Sequence, residues 1–349
     1  MLQNTSLKEF GYNFLGPILT SYINGVQKKL ELLSETQKVK VFHLAREGFL
    51  FQKAFSLVNN KDTPSTYLNV SRTFLFKITC DIEASWQYSV KHSFEGTLNE
   101  FFHARYSFVQ DDIEKMLPES IREKEITLPK DYNLVCDILE KNKTNIAQIV
   151  SPIRDTYLEY LNQTGFFDNE INPVLLDVGY SGTIQKLLAL IVNRHLNGIY
   201  MITTKSGNFN IGQTTVSIEH VFKTGVKMGS GYMMLDRSMF LESLLTAPNG
   251  QFVDIIKDIN EGDFHFCYGK RTYTQEFFSD LDAVQNGALN CLQESLINEV
   301  TFSTQEIEEI FTKYVTHRNL LPRASWPLFT LDDAISGQGN LNPLSFFGL

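Results

Sequence analysis

The sequence predicts an α/β fold: a Rossmann-like, mostly parallel sheet with a helical insertion and a helical C-terminal region. Short apolar runs typical of buried parallel strands recur along the chain, and amphipathic helical stretches follow several of them. Longer helical patterns separate and follow these units. We therefore predict one α/β domain over residues 1–349, with its core at about 36–75 and 170–222, the insertion at about 79–168 and the helical C-terminal region at about 232–349.

The first half of the core begins with an amphipathic helix over Tyr12–Leu33. Val39–Ala45 reads as a strand, and a turn leads from it into a helix over Phe49–Val58. Thr66–Val70 reads as a second strand. These elements form a strand-loop-helix unit followed by another strand.

The second half of the core is a β-α-β unit. Its strands are predicted at Pro173–Asp177 and Ile199–Thr204, and an amphipathic crossover helix separates them. The segment from about Thr79 to Phe167 has a polar, helical pattern with no clear strand. The chain from about Met233 onward is mostly helical in pattern.

Composition limits the classes of function. A chain with 43% hydrophobic and 20% charged residues buries a large core. The net charge of −9 argues against a nucleic-acid partner, so any anionic ligand needs a local site. The 4 cysteines are widely spaced, and no leader or membrane-spanning run is evident, so we expect a cytoplasmic protein. Peripheral membrane association stays open, because 27 Phe residues leave material for an apolar patch.

The strongest chemical signal is a loop between a strand and a helix. An apolar strand ends at Asp177, and the residues that follow are Gly179, Tyr180, Ser181, Gly182 and Thr183. Glycines let backbone N–H groups approach an anion, hydroxyls add donors, and a helix N-terminus adds partial positive charge. The loop is a candidate phosphate site, with Asp177 placed to bind sugar hydroxyls or Mg²⁺. A tight turn in which Thr183 caps the helix fits the same pattern.

Two further polar groups follow predicted strands. Arg46-Glu47-Gly48 comes after the first strand, and Ser71-Arg72 after the second. If the strands are parallel, these residues lie at the same sheet edge as Asp177. An arginine there suits a phosphate or pyrophosphate, and Glu47 suits a metal or a hydroxyl. A surface ion pair at a helix start is the alternative.

Other chemical residues give weaker signals. Asp280-Leu281-Asp282 resembles the Asp-x-Asp motif of haloacid-dehalogenase-like phosphatases, and Asp332-Asp333 fits their later acid pair. The flanks of the first motif continue as an amphipathic helix, whereas the phosphatase motif needs a strand end. His43 lies in a predicted strand and is expected to be a satisfied core group, and the histidines lack metal-ligand spacing.

Several motifs taken in order suggest a family. They are Gly11-Tyr12 with Gly16-Pro17, Leu44 to Gly48, Tyr67-Leu68 with Ser71-Arg72, Gly96-Thr97-Leu98, Asp177 to Gln185, Leu241-Glu242, and Ala247-Pro248 with Gly250. Together they resemble the glycan phosphoribosyltransferase domain of bacterial dual-domain ribofuranosyltransferases. Those polysaccharide-gene proteins are often labelled predicted haloacid-dehalogenase-like hydrolases, and their other domain is a phosphatase.

The resemblance implies transfer of phosphoribose from phosphoribosyl pyrophosphate to a glycan hydroxyl, with Mg²⁺ as cofactor, in bacterial O-antigen or capsule synthesis. It implies that the loop 179–183 holds the donor's 5-phosphate and that Asp177 holds the ribose hydroxyls or the metal. Arg46 and Arg72 would bind pyrophosphate, and Glu47 would be the acceptor base or a metal ligand. Gly48, Ser71 and Tyr180 are further substrate-binding candidates.

The chain also departs from that family. Glu47 stands where the family usually has Asp, and Tyr180 where it usually has Trp. The 349 residues show no phosphatase half, so dephosphorylation is expected from a separate phosphatase, unless the product keeps its phosphate. Two alternatives stay open: a haloacid-dehalogenase-like phosphatase, and a non-catalytic module that binds phosphosugars or serves assembly.

Overall fold

The computed structural model describes residues 2–59, 63–258, 262–333 and 339–349. The strands in chain order are β1 (Lys38–Leu44), β2 (Ser65–Leu68), β3 (Phe94–Thr97), β4 (Glu125–Leu128), β5 (Ile171–Asp177), β6 (Leu196–Thr203), β7 (Gly207–Ile211), β8 (Thr214–Thr224), β9 (Phe252–Lys257), β10 (Phe264–Tyr268), β11 (Leu331–Asp333) and β12 (Gly339–Leu341).

Helices surround these strands. The α-helices are α1 (Leu2–Phe10), α2 (Gly16–Ser34), α3 (Gly48–Val58), α4 (Arg72–Thr79), α5 (Glu83–Ser89), α6 (Leu98–Tyr106), α7 (Gln110–Met116), α8 (Glu119–Arg122), α9 (Tyr132–Lys141), α10 (Lys143–Gln163), α11 (Thr183–Val192), α12 (Met233–Asp236), α13 (Ser238–Leu245), α14 (Tyr273–Glu276), α15 (Phe278–Ile297), α16 (Thr304–Thr316) and α17 (Pro343–Phe346). A π-helix spans Gly11–Leu15, and 3-10 helices span Arg318–Leu320 and Arg323–Leu328.

A six-stranded sheet in the order β2-β1-β5-β6-β8-β7 forms the centre of the protein. Neighbouring strands run parallel except for β7, which is antiparallel to β8 at the edge. The inner strands are buried along most of their length, as expected where helices cover both faces. The predicted α/β fold with a mostly parallel sheet is confirmed.

The predicted strands of the core match β1, β2, β5 and β6 to within a few residues, and the crossover helix is α11. The strands predicted from the sequence do not include the β7–β8 hairpin that the structure contains. The expectation that the insertion contains no clear strand is wrong, because β3 and β4 pair there as a small antiparallel sheet. The C-terminal region likewise contains two antiparallel pairs, β9 with β10 and β11 with β12.

The insertion and the C-terminal region pack on the two faces of the sheet. On one face, sheet residues such as Val41 and Leu176 share a buried cluster with Leu281 and Val284 of α15. On the other face, residues such as Leu175 pack in a cluster with the helices of the insertion. The helical additions therefore complete the core that the sheet begins.

Glycines allow the N-terminal helices to approach α15 closely. A Cβ atom on Gly11 would lie 1.9 Å from the carbonyl oxygen of Val284, and one on Gly287 would lie 2.1 Å from the carbonyl oxygen of Lys8. Any larger residue would force the two backbones apart. The predicted N-terminal helix is thus found as the π-helix and α2, clamped against α15.

The strand order creates a switch point between β1 and β5. The chain leaves β1 toward β2 on one side and leaves β5 toward β6 on the other. In open parallel sheets, the loops at such a point diverge and leave a crevice at the carboxyl ends of the strands. The topology therefore marks the place where the predicted polar residues emerge.

Lys77 of α4 is a buried cation that depends on Asp254 of β9. Its side chain is 5% exposed, and its Nζ lies 2.7 Å from Asp254 Oδ2. We expect Asp254→Asn to lower the free energy of unfolding by about 2 kcal/mol, because it leaves a buried charge without a counter-ion. Urea denaturation followed by circular dichroism measures this change.

The matched control is Glu170→Gln, which removes an exposed ion pair. Glu170 lies 3.5 Å from Lys38, and their side chains are 80% and 77% exposed. Exposed pairs contribute roughly 0 to 1 kcal/mol, so the control should change stability little. If both substitutions lower the free energy of unfolding equally, the buried Lys77 charge does not depend on Asp254.

Candidate functional site

A cavity of about 260 Å³ lies at the carboxyl ends of β1, β2 and β5, in the crevice that the topology predicts. The residues that line it are Ala45, Arg46, Glu47, Val70, Ser71, Arg72, Asp177, Val178, Gly179, Tyr180, Ser181, Thr183, Ile184, Glu242, Gln251 and Asp332. Three predicted groups of polar residues thus meet in one pocket, and the group at Asp177 lies more than a hundred positions along the chain from the other two.

Each strand end leads directly into a helix that begins at this edge of the sheet. The helices α3, α4 and α11 start at Gly48, Arg72 and Thr183, immediately after the loops that line the cavity. A helix N-terminus carries unpaired N–H groups and partial positive charge. Three such termini around one cavity favour an anionic ligand.

Two glycines shape the loop after β5. Gly179 has φ +154°, and a Cβ there would lie 2.4 Å from the carbonyl oxygen of Ile202. Gly182 has φ +67° and is the N-cap residue of α11, which has no side-chain cap. The alternative in which Thr183 caps the helix is therefore wrong. Its hydroxyl instead lies 3.0 Å from that of Ser181.

Asp177 is the most enclosed carboxylate of the site. It is 9% exposed, and its Oδ1 accepts a hydrogen bond from the Val178 N–H at 2.8 Å. Burial raises the pKa of Asp177 well above its usual range, and the nearby Glu47 carboxylate raises it further. The Val178 N–H and Arg72 lower this pKa in part, and Glu242 raises it. The carboxyl group thus holds a proton more tightly than an exposed aspartate.

Glu47 forms a second acidic group next to it. Its Oε2 accepts a hydrogen bond from the Arg46 N–H at 3.0 Å. Burial raises the pKa of Glu47, Arg46 lowers it, and Glu242 raises it. Because Glu47 and Asp177 are neighbouring carboxylates in a partly dry site, they favour a shared proton or a bound cation.

Two arginines supply the positive side chains of the cavity lining. Arg46 is half-buried and Arg72 is exposed, and both line the pocket. Ser71 lines it too, but its hydroxyl has structural partners. It accepts from the Phe74 N–H at 3.0 Å as the N-cap of α4 and donates to the Phe252 carbonyl at 2.6 Å.

Gly48 and Gly182 are predicted site residues that do not line the cavity. A Cβ on Gly48 would lie 2.5 Å from the carbonyl carbon of His43, so this glycine lets α3 pack against β1. His43 is buried as expected, yet neither ring nitrogen has a hydrogen-bond partner, so the expectation of a satisfied group is wrong. Burial lowers the pKa of His43 to about 3.

Three residues that line the pocket come from the C-terminal region and are not predicted as site residues from the sequence: Glu242, Gln251 and Asp332. Glu242 lies on α13, and its Oε1 accepts a hydrogen bond from the Tyr180 hydroxyl at 2.7 Å. The only sequence signals for these residues were the Leu241-Glu242 motif and the acid pair that contains Asp332.

The phosphatase-like motif lies elsewhere. Asp280 and Asp282 are on α15, not at a strand end, and neither lines the cavity. Asp282 lies 3.4 Å from Lys53 in a half-exposed ion pair. The helical context that argued against this motif is confirmed.

The oxygen donors of the pocket fit a hard cation such as Mg²⁺ that is held by the protein and by the substrate together. Within residues 2–59, 63–258, 262–333 and 339–349, no cluster of three or more His, Cys, Asp or Glu side chains is arranged for a metal. Mg²⁺ is commonly held by one or two carboxylates together with substrate phosphates. Glu47 and Asp177 are oxygen donors of this kind at the cavity.

The fold and the pocket define an α/β protein with a polar, acid-rich ligand site at the carboxyl edge of its sheet. Comparison with models of known protein families gives no match, and comparison with curated proteins gives none either. No helix in the described part of the chain is both long and apolar enough to cross a bilayer. The pocket is therefore the feature from which a function can be inferred.

The raised pKa of Asp177 predicts a stability that depends on pH. An acid whose pKa is raised in the folded state binds its proton more tightly there, so stability falls as pH rises from the ordinary aspartate range, about 3.9, through the raised pKa. We expect Asp177→Asn to raise the free energy of unfolding by roughly 1 kcal/mol at about pH 8. This gain should shrink toward about pH 4, where the Asp177 carboxyl of the folded wild-type protein is protonated and as neutral as asparagine.

Chemical denaturation of both proteins across this pH range measures the difference. Asparagine keeps an oxygen for the Val178 N–H, so that contact survives the substitution. A variant that is less stable at every pH would show that the ionised aspartate supports the fold.

Proposed function

We propose that the protein is a phosphoribosyltransferase that moves phosphoribose from phosphoribosyl pyrophosphate to a glycan hydroxyl, in the synthesis of a bacterial surface polysaccharide. The observation that carries this proposal is the convergence of three helix N-termini, two arginines and the acids Glu47 and Asp177 on one cavity at the switch point. Such a site suits a sugar that carries phosphate at both ends.

The loop after β5 is assigned to the 5-phosphate of the donor. Gly179 and Gly182 keep its backbone open, Ser181 and Thr183 offer hydroxyls, and α11 contributes its N-terminal charge. Asp177 lines the same pocket at the end of β5, and it would accept hydrogen bonds from the ribose hydroxyls. The motifs that resemble the glycan phosphoribosyltransferase domain give the same assignment.

Arg46 and Arg72 are assigned to the pyrophosphate. Guanidinium groups bind phosphate oxygens in a bidentate manner and keep their charge at every working pH. Cleavage of the bond between C1 of ribose and pyrophosphate leaves positive charge on the sugar and negative charge on the leaving group. Positioned donors that stabilise the leaving group would lower this barrier.

The charges of the cavity lining support a role for Mg²⁺. In the described part of the chain, two guanidinium groups and four carboxyl groups line the pocket, and the acids are Glu47, Asp177, Glu242 and Asp332. A strongly anionic donor would be repelled by this surplus without a cation. Glu47 and Asp177 would hold the metal, which when bound would neutralise the pyrophosphate.

We also propose a cytoplasmic location, with a separate phosphatase acting on the product and with peripheral membrane contact as an option for a lipid-linked acceptor. The four cysteines, Cys80, Cys136, Cys267 and Cys291, are all free thiols, which supports a reducing compartment.

The first test is binding of phosphoribosyl pyrophosphate with Mg²⁺ by calorimetry, followed by pyrophosphate release in the presence of a panel of glycan acceptors. We expect Arg46→Met and Arg72→Met each to weaken donor binding by roughly tenfold or more, because each removes a charged hydrogen-bond donor. Arg318→Met is the control, since Arg318 stacks on Trp326 outside the cavity. Donor binding without turnover would favour the non-catalytic module, and no donor binding would refute the proposal.

The second test separates transfer from phosphatase chemistry. Asp280 lies in the first turn of α15 and does not line the cavity, so we expect Asp280→Asn to leave transfer unchanged within about twofold. A phosphatase that uses this motif would lose all hydrolysis of p-nitrophenyl phosphate on the same substitution. Such a loss, measured against the wild-type protein, would replace our proposal with the phosphatase.

A further inference from the structure

The pocket has two walls of different chemistry. The donor wall consists of Arg46, Glu47, Arg72, Asp177 and the loop 179–183, and it contains both guanidinium groups and all three helix N-termini. The acceptor wall consists of Glu242, Gln251 and Asp332, all from the C-terminal region. This second wall brings two acids and an amide to the cavity.

Glu242 is held in a defined position on the acceptor wall. Its helix α13 is anchored by buried neighbours, among them Leu241 and Leu244. The Tyr180 hydroxyl donates to Glu242 Oε1 at 2.7 Å. The backbone carbonyl of Tyr180 in turn accepts from the Thr204 N–H at 2.9 Å, which fixes the loop that carries the ring. Oε2 is the carboxylate oxygen that Tyr180 does not hold.

Two other acids that line the pocket, Asp177 and Glu47, are held by the backbone of the donor wall itself. Asp177 Oδ1 accepts from the N–H of Val178, and Glu47 Oε2 accepts from the N–H of Arg46. Their carboxylates therefore belong to the loops assigned to the donor. Glu242 comes instead from α13 in the C-terminal region, and the Tyr180 hydroxyl links it to the donor loop.

We propose that Glu242, oriented by Tyr180, is the base that activates the acceptor, and that the acceptor is a neutral polyhydroxyl sugar. This inference rests on the proposed function. The acceptor hydroxyl gives its proton to Glu242, and its oxygen electron pair forms the bond to C1 of ribose. The bond from C1 to the pyrophosphate oxygen breaks, pyrophosphate leaves with the electron pair of that bond, and Glu242 returns its proton to solvent.

The charge of the acceptor wall favours neutral sugars over acidic sugars as acceptors. Glu242 and Asp332 would repel a carboxylate or phosphate near the reacting hydroxyl, whereas carboxylate and amide oxygens accept hydrogen bonds from neutral sugar hydroxyls. Acidic sugars should therefore be poor acceptors compared with neutral ones of the same size.

The test compares wild-type protein with Glu242→Gln and Tyr180→Phe, using phosphoribosyl pyrophosphate with Mg²⁺ as donor and neutral and acidic sugars as acceptors. We expect Glu242→Gln to lower the turnover number by about 10²-fold or more, the usual range for loss of a general base. Its Kd for the donor should stay within about threefold of wild type, because the change lies on the acceptor wall. Tyr180→Phe keeps the carboxylate, so its turnover should fall less.

Glu294→Gln is the matched control. Glu294 accepts a hydrogen bond from the Tyr12 hydroxyl at 2.7 Å, the same kind of contact, but it lies outside this cavity. It should transfer at the wild-type rate. Circular dichroism and thermal unfolding confirm that each variant is folded.

The outcomes separate the two proposals. If the wild-type protein transfers phosphoribose and Glu242→Gln does so at nearly the same rate, Glu242 is not the base, and the proposed function stands. Loss of donor binding in Glu242→Gln would place this residue on the donor side and overturn the inference. An acidic acceptor preferred over its neutral counterpart would overturn the acceptor class. A wild-type protein that neither binds the donor nor transfers would refute the proposed function, and this inference with it.

Discussion

The site depends on the parallel alignment of β1 with β5. The two strands pair from Lys38 opposite Ile171 to His43 opposite Leu176, so they end at nearly the same level. Both are buried over their last residues, and the polar side chains of the donor wall come from the last residue of β5 and from the segments that follow the strands. The divergence of the chain toward β2 and β6 then opens the crevice into which those side chains project.

This alignment concentrates groups that oppose folding. Carboxylates that lose water and face one another destabilise the folded chain, and the positive ends of α3, α4 and α11 offset only part of that cost. A pocket built for stability alone would place apolar residues here. The presence of Glu47 and Asp177 in a partly dry cavity is the arrangement expected where a ligand or cation supplies the missing charge.

The parts of the fold with strong local patterns were predictable from the sequence. Apolar runs followed by turns located β1, β2, β5 and β6, and the loops after them supplied most of the residues that line the pocket. The strands β3 and β4 span four residues each, as β2 does, but their sequences Phe-Glu-Gly-Thr and Glu-Ile-Thr-Leu contain no apolar run. The β7–β8 hairpin had a usable signal in the sequence, because apolar and polar residues alternate over Val216-Ser217-Ile218-Glu219 and Gly212 precedes them as a turn residue.

The acceptor wall was not predictable in the same way, because tertiary packing and not local pattern places it. Glu242 follows no strand end, and its helix resembles many amphipathic helices. Local pattern also could not show that the Ser71 hydroxyl is used to cap α4, or that Gly48 serves packing against β1. Residue type at a strand end predicts nearness to the site but does not separate ligand contacts from structural ones.

The two walls of the pocket are supported by different parts of the chain. Gln285 of α15 is buried, and its side-chain amide donates to the carbonyl oxygens of Leu244 and Thr246 at 3.1 and 3.0 Å. Those carbonyls lie at the end of α13, so α15 fixes the helix that carries Glu242. Because α15 is itself clamped against Gly11 and the N-terminal helices, the acceptor wall is held through helix packing, whereas the donor wall is held by the sheet. A small change in the packing of α15 would therefore move Glu242 relative to Asp177, whose position is fixed by the sheet.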